Sequence, residues 1–284
     1  MPAPATPGRP TALGLRITTL ARPLITLLFR PTVTGWEHLP AEGPYLLVAN
    51  HSAGVALAEI ASIAVLWTER FGQARPLAGF AHHIGFKLRP LAAVHRQFGT
   101  IPSTYEAAAA ALAAGVPVLL FPGGDHESLR PIWQANRVDL AGRRGFLRVA
   151  RAAGVPIVPM GIRGSHMTVP MLLRSRPLAR LLILPHLLGL KRWGISLLGV
   201  LVSLTIAAQP WPLPLRLVLI WIALGTPLFF TPILPWTIRF RIGAPVPLEQ
   251  LAEAAAPGDP DPLALVQSRI QSLVDAPRKE PAPD

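Results

Sequence analysis

The chain has 284 residues, of which 51% are hydrophobic and only 15% are charged, and its formal net charge at pH 7 is +12. This length fits one sizeable core with attachments, and so apolar a composition indicates that part of the surface meets lipid. The positive charge suits an anionic membrane face or an anionic substrate such as phospholipid or coenzyme A. The arginines are scattered and no nucleic-acid-binding motif is present, which argues against nucleic acid, and the absence of cysteine excludes disulfides, thiolate metal sites and a cysteine nucleophile.

The N-terminal part of the chain is expected to form an amphipathic helix. Leucine and isoleucine recur at helical spacing in Thr11–Arg30, with arginines between them, and Pro23 is expected to bend the helix. The pattern suits a helix lying on a membrane surface or, equally well, a helix packed against the domain itself. Arg16 and Arg22 interrupt the apolar run, so we expect no secretory signal peptide.

Apolar runs then alternate with helix-forming segments. The predicted strands are Thr32–Gly35, Tyr45–Ala49, Val116–Phe121 and Val155–Met160, with a strand or turn at Phe98–Ser103. The predicted helices are Glu59–Arg70, Tyr105–Ala114 and Arg143–Ala153. This alternation predicts an α/β fold with a mixed, mostly parallel sheet flanked by helices.

Two long uncharged runs, Trp193–Leu215 and Leu217–Ile238, are separated only by Arg216. Each run is long enough to cross a bilayer, and basic residues on both flanks favour a hairpin whose ends face the cytoplasm. Internal prolines also permit a shallow, re-entrant hairpin, and a buried pair of core helices is a third interpretation. The sequence therefore predicts an apolar helical hairpin inserted before the last strand, with its mode of burial left open.

These patterns divide the chain into six segments. They are a disordered tail (1–10), an amphipathic membrane-surface helix (11–31), an α/β core (32–180), a hydrophobic membrane hairpin (181–236), the last strand and C-terminal helix of the core (237–275) and a second disordered tail (276–284). Within the fifth segment, Thr237–Ile242 alternates like a strand and Pro262–Val274 is amphipathic.

Two strand ends carry the candidate chemistry. His51 follows the strand Tyr45–Ala49, where a histidine can take and return a proton near neutral pH or can be a purely structural residue. Gly123 and Gly124 follow the strand Val116–Phe121, where glycines let the backbone approach a ligand and offer N–H groups to negative charge, or simply form a tight turn. We find no set of residues with metal-ligand spacing around His82 and His83, so these are interpreted as structural.

Ordered motifs in the chain resemble the glycerolipid (lysophospholipid-type) acyltransferase superfamily. The motifs are Asn50-His51-Ser52, Gly99-Thr100-Ile101-Pro102, Phe121-Pro122-Gly123-Gly124 and Val155–Met160, with Arg239–Pro245 similar to the closing strand of that family. Pro122-Gly123-Gly124 with Glu127 and Arg143–Phe146 is closer to the branch that contains monoacylglycerol and diacylglycerol acyltransferases and phytyl-ester synthases.

The resemblance departs from the family at the acidic partner of the histidine. The family places an aspartate five residues after the histidine, where this chain has Ala56, and the nearest acid is Glu59. In a continuous helix, eight residues would separate His51 and Glu59 by about 12 Å. If Ser52–Ala58 is a loop, Gly54 allows the chain to fold back, and we expect the Glu59 carboxylate within hydrogen-bond reach of His51.

By resemblance, the chain is expected to be a membrane-associated O-acyltransferase that moves an acyl group from acyl-CoA or acyl-carrier protein to a hydroxyl of a glycerolipid, lysophospholipid or related lipid alcohol. His51 is the implied general base and Glu59 its orienting acid. The implied substrate-binding residues are Ser52, Thr100, Pro122, Gly123, Gly124, Glu127, Arg143 and Arg144. No metal or redox cofactor is implied, and the expected partners are membrane lipid and the acyl donor.

The expected location is a membrane, with the active site on its cytoplasmic side. A non-catalytic lipid-binding protein of the same fold is the alternative, because Ala56 removes the usual aspartate. An α/β-hydrolase is disfavoured because the chain has no Gly-x-Ser-x-Gly elbow.

Overall fold

The computed structural model describes residues 7–52, 54, 57–87, 89–252 and 261–277. Ala56, residues 1–6 and residues 278–284 therefore lie outside the described residues. The helices are α1 (Ala12–Phe29), α2 (Leu57–Phe71), α3 (Arg89–Gln97), α4 (Tyr105–Ala113), α5 (Gly124–Ser128), α6 (Gly145–Ala153), α7 (Arg176–Leu181), α8 (Leu184–Leu187), α9 (Leu197–Ala207), α10 (Leu213–Gly225) and α11 (Pro262–Asp275). The strands are β1 (Thr32–Thr34), β2 (Leu46–Ala49), β3 (Ala78–Ala81), β4 (Thr100–Pro102), β5 (Val118–Leu120), β6 (Ile157–Arg163), β7 (Met171–Ser175), β8 (Trp193–Ser196) and β9 (Arg239–Ile242).

Seven of the strands form one sheet in the order β1-β9-β6-β2-β5-β3-β4. Only the pair β6–β9 is antiparallel, and the other neighbours run parallel. All four residues of the central strand β2 are buried, as expected for a strand covered by helices on both faces. The predicted α/β class with a mixed, mostly parallel sheet is confirmed.

The sheet separates two apolar cores. One face packs against α4, α6 and α11, with Leu147, Val266 and Ile270 fully buried there. The other face packs against α1 and α2, where Trp67 and Phe29 are buried. Because β2, β5 and β6 are parallel, their carboxyl ends lie at one edge of the sheet, which is where α/β folds place ligands.

The N-terminal helix is packed on the domain along one side and exposed along the other. Thr11 caps α1, and its N–H donates to the Gln97 carbonyl oxygen at 3.0 Å. Gly14 lies so close to α3 that a Cβ there would be 1.8 Å from the same carbonyl oxygen. On the other side, Leu20 and Leu27 are 81% and 74% exposed. One side of α1 is thus packed on the domain, and the other side presents exposed apolar residues that a membrane surface could cover.

Residues 7–10 fall in the segment that we expected to be a disordered tail. Gly8 lies against the core instead: it is buried, and a Cβ there would be 2.5 Å from the Cβ of Ala78. A left-handed φ of 80° at Gly8 fits the chain into this space, which an L side chain would not do without strain.

The region of the two uncharged runs is divided more finely than the sequence indicates. The first run begins with β8, which pairs antiparallel with β7, and the hydroxyl of Ser196 then accepts from the Gly199 N–H and starts α9. The two helices of this region, α9 and α10, have only 11 and 13 residues. Helices of that length extend about 16 and 20 Å, less than the ~30 Å hydrocarbon core of a bilayer.

Of the described helices, only α1 is both long and apolar enough to cross a membrane by length and composition. Core helices of soluble proteins and signal sequences can have the same length and composition. The hydrogen bond from Thr11 to Gln97 holds the first turn of α1 on the core.

Candidate active site

The centre of the candidate site is the pair His51 and Glu59. The side chain of Asn50 fixes the end of β2, because it donates to the Ile162 carbonyl oxygen at 2.9 Å and accepts from the Ile162 N–H at 2.7 Å. The chain turns at Gly54, whose φ is 64°, and α2 begins at Leu57. This turn brings Glu59, in the first turn of α2, beside His51, with 3.0 Å between His51 Nδ1 and Glu59 Oε2. The distance lies within hydrogen-bond reach, as expected if the segment after Ser52 is a loop.

Both oxygens of the Glu59 carboxylate have partners, and the side chain is fully buried. Oε2 meets His51, and Oε1 accepts from the hydroxyl of Ser52, whose Oγ also contacts Ser165 Oγ. Ser52 is itself fully buried, so it orients the glutamate from behind and does not face the cavity. The His51 ring is stacked on Phe121 with 4.5 Å between ring centroids. The imidazole is therefore held by a carboxylate on one nitrogen and by an aromatic face.

Glu127 supports the main chain of His51. Its Oε2 accepts from the His51 N–H at 2.9 Å, and its Oε1 accepts from Arg130 Nη2 at 3.0 Å and from the Asp139 N–H at 2.9 Å. Burial raises the pKa of Glu127, whereas the Asp139 N–H and the Arg130 charge oppose that rise. The resemblance implies substrate binding by Glu127, but its side chain is fully buried and fully engaged. The structure places it as a support for His51.

The glycine turn after β5 is shaped by close packing. A Cβ on Gly123 would lie 2.2 Å from Glu127 Cγ, and one on Gly124 would lie 2.5 Å from Arg143 Nη1. The Gly124 N–H donates to the Phe121 carbonyl oxygen at 3.1 Å. From the sequence we expected N–H groups at this turn to face a substrate. The Gly124 N–H instead forms a hydrogen bond within the turn. The glycines are needed because Glu127 and Arg143 pack directly against the backbone.

A cavity of 580 Å³ opens beside His51. Its charged lining residues include Asp125, Arg143 and Lys191. Asp125 pairs with Arg143 at 2.6 Å through Oδ1 and lies 3.7 Å from Arg192 through Oδ2. The apolar lining residues include Ile60, Phe80, Phe121, Leu129, Leu190, Trp193 and Phe230. The cavity can therefore receive a ligand with an apolar part and an anionic part.

The remaining residues that the resemblance implies for substrate binding are dispersed. Pro122 lines a smaller cavity of 220 Å³ that also contacts Arg143. Thr100 bonds His95 and lines an apolar cavity between α1 and α2. Arg144 forms a bidentate ion pair with Asp261, with 2.8 Å from Nη1 to Oδ1 and 3.0 Å from Nη2 to Oδ2. Neither Thr100 nor Arg144 belongs to the described lining of the His51 cavity.

Several contributors to the site were not found from the sequence. Lys191, Trp193 and Phe230 come from the region interpreted as a membrane hairpin, yet they form a wall of the His51 cavity. Nothing in their spacing indicates this, because the contacts span long distances along the chain. Arg130 is different: its position three residues after Glu127 is a helical ion-pair spacing that could have been noticed.

Among the described residues, no group of three or more histidine, aspartate or glutamate side chains is arranged to hold a metal ion.

Nearly half of the chain is similar to a known protein family. Residues 30–163 match the family model described as Acyltransferase. An uncharacterized protein of Mycobacterium tuberculosis is 32% identical over 171 residues, which are 59% of this chain and 48% of that protein. The chloroplastic phytyl ester synthase 2 of Arabidopsis thaliana is 33% identical over 149 residues, or 50% of this chain and 20% of the plant protein. The chain thus spans about half the length of the mycobacterial relative and less of the plant one.

A solved structure shares the fold. The crystal structure of the 1-acyl-sn-glycerophosphate acyltransferase PlsC from Thermotoga maritima superposes with a TM-score of 0.52, covering 92% of this chain and 78% of that one at 16% identity. The matched residues 30–163 contain His51, Glu59 and the glycine turn, all at the same edge of the sheet. Residues 30–163 of this chain thus match the acyltransferase family, and the resemblance to that superfamily is confirmed.

Proposed function

We propose that the protein is a lipid O-acyltransferase in which His51 is the general base and Glu59 its orienting acid. The observation that carries this proposal is the 3.0 Å contact between His51 Nδ1 and Glu59 Oε2 at the mouth of a 580 Å³ cavity. The family match of residues 30–163 supports the reaction class. A fully buried glutamate with both oxygens engaged restores the acid that the sequence lacks at Ala56, which favours the enzyme over a non-catalytic lipid-binding protein.

In the proposed reaction, His51 Nε2 takes the proton of the acceptor hydroxyl as its oxygen attacks the thioester carbonyl of acyl-CoA or acyl-carrier protein. The tetrahedral intermediate then collapses, the C–S bond breaks, and the proton on His51 passes to the departing thiolate. The products are an ester and a free thiol. The carboxylate of Glu59 keeps the proton of neutral His51 on Nδ1 and stabilises the imidazolium that forms.

The charges of the cavity favour a substrate that carries phosphate. Arg143 and Lys191 are within the lining, and an arginine fork matches phosphate oxygens well. Asp125 holds Arg143 in place through its 2.6 Å contact. The acceptor is therefore proposed to be a hydroxyl of a glycerolipid or lysophospholipid. The likeness to phytyl ester synthase 2 favours a neutral lipid alcohol as the alternative acceptor.

We also propose that the protein works at a membrane surface, with α1 and the α9–α10 hairpin inserted shallowly. Leucines on the outer faces of these helices are strongly exposed; examples are Leu20, Leu27, Leu204 and Leu217. The Trp236 N–H donates to the Leu28 carbonyl oxygen at 3.0 Å, which ties the chain after the hairpin to the end of α1. Neither α9 nor α10 has the ~20 residues that a spanning helix needs. The basic flanks of this region suit the anionic cytoplasmic leaflet.

The experiment is to incubate the purified protein with isotopically labelled acyl-CoA, or with labelled acyl-carrier protein, and a panel of lipid acceptors. The panel pairs each lysophospholipid with the dephosphorylated lipid of the same chain. Mass spectrometry of the extracted lipids is expected to show label in a new ester of one class. A panel in which no acceptor gains label from either donor would contradict the proposed activity.

A further inference from the structure

A second polar cavity, of 620 Å³, lies at the same edge of the sheet as the His51 cavity but is lined by different residues. Four arginines from three parts of the chain converge on it: Arg30 after α1, Arg163 at the end of β6, and Arg239 and Arg241 on β9. We refer to it as the arginine cavity. The only carboxylate in its described lining is Asp275, so the described lining has a formal charge of +3 with His166 neutral.

Two of the arginines are held in position by main-chain acceptors. Arg163 Nη1 donates to the Val274 carbonyl oxygen at 2.9 Å, and Arg241 Nη1 donates to the Leu273 carbonyl oxygen at 2.8 Å. These carbonyls belong to the last turn of α11, whose partial negative charge offsets only part of the cationic charge. Burial lowers the pKa of the Arg241 guanidinium, and the neighbouring charge of Arg163 lowers it further. Like charges are thus packed together here at a cost that an anion would relieve.

A buried histidine forms part of the same wall. His166 lines the arginine cavity, and its Nε2 is buried without a hydrogen-bond partner among the described residues. Burial lowers the pKa of His166 to about 3, and the charges of Arg130 and His51 add to that effect. The preceding residue, Ser165, contacts Ser52 behind Glu59. The arginine cavity is therefore separated from the His51–Glu59 pair by the segment Ser165–His166.

We propose that the arginine cavity is a binding site for a phosphate-bearing ligand, distinct from the cavity beside His51. Guanidinium groups bind phosphate through paired N–H donors, and the volume exceeds what a single carboxylate or chloride would fill. Such a phosphate comes from a nucleotide or from the headgroup of an anionic phospholipid. This inference rests on binding alone and does not depend on the acyl-transfer reaction.

The test uses the full chain and two probes. Adenosine 3′,5′-bisphosphate is titrated by calorimetry, and vesicles of phosphatidylcholine are compared with vesicles that also contain phosphatidylglycerol in a flotation assay. The test variant is Arg30→Gln/Arg239→Gln, which leaves the arginines that cap α11 in place. The matched control is Arg89→Gln/Arg96→Gln, which removes the same charge from two exposed residues of α3 near the opposite end of the sheet.

We expect one probe to bind the parent protein and the test variant to weaken that binding by about tenfold or more, while the control stays within about twofold. Loss of nucleotide binding identifies a nucleotide phosphate, and loss of the phosphatidylglycerol-dependent part of vesicle binding identifies a lipid headgroup. Thermal unfolding of both variants checks that they are folded. If neither probe binds, or if the test and control variants weaken binding equally, the proposal is overturned.

Discussion

The buried ion pair behind His51 gives a quantitative test of how the site is built. Glu127 and Arg130 have side-chain exposures of 0% and 2%, and Glu127 Oε1 lies 3.0 Å from Arg130 Nη2. Glu127→Gln removes one charge and leaves the guanidinium buried without its counter-ion. Breaking such a pair costs about 3–5 kcal/mol. At about 2–4 °C per kcal/mol for a domain of this size, the expected fall in Tm is about 6–20 °C.

The assay is thermal unfolding followed by circular dichroism, in one detergent for all variants. Glu69→Gln is the matched control, because it breaks the Arg22–Glu69 pair, whose side chains are 55% and 45% exposed. That loss should be less than about 1 kcal/mol. The double variant Glu127→Gln/Arg130→Met should recover most of the Tm, since no buried charge is then left alone. Equal effects of Glu127→Gln and Glu69→Gln would show that the pair is not buried as described.

Four further outcomes are expected. Glu59→Gln should lower kcat at least about tenfold with little change in KM, since an amide does not fix the imidazole tautomer; an unchanged kcat would leave Glu59 a helix-capping residue. Gly54→Ala should lower both Tm and activity, because φ is 64° and the new Cβ would lie 2.8 Å from the Cβ of Phe230; full activity would show that this loop does not position His51. Burial lowers the pKa of His166 to about 3 in the folded protein, so as the pH falls the unfolded chain binds a proton that the folded chain does not. The free energy of unfolding should therefore decrease by about 2 kcal/mol from pH 7.5 to pH 5. Chemical denaturation of His166→Gln should show a free energy of unfolding that depends less on pH, and an identical dependence would contradict the burial. Leu204→Asp, at a position 61% exposed, should weaken flotation with vesicles without lowering Tm; unchanged flotation would remove α9 from the membrane face.

The order of the main strands and helices was predictable because each carries its signal locally. β2 is a short apolar run after a proline, and α4 is a run of alanines that ends at a glycine. β3 was missed because Ala78-Gly79-Phe80-Ala81 has little β-propensity. The predicted helices and strands otherwise differ from the structure mainly at their ends.

The site was predictable where a motif fixes it and not where the fold assembles it. His51 follows from the motif, and its contact with Glu59 follows from the turn that Gly54 permits. The position of Phe230 against Gly54 joins residues far apart along the chain, and no local pattern encodes it. The uncharged run that begins at Trp193 was interpreted as membrane-directed because hydropathy alone does not distinguish lipid-facing residues from those that, like Trp193, are buried within the protein.

If His51 performs the proton transfer of acyl transfer, the rate of ester formation by His51→Ala must fall. The matched control is His186→Ala, which removes an exposed histidine on α8 outside the described lining of the cavity. We expect a loss of about 10² to 10⁴ in rate for His51→Ala, with an unchanged Tm, and a rate close to that of the parent for the control. A folded His51→Ala protein that forms ester at the parental rate would show that His51 is not the general base.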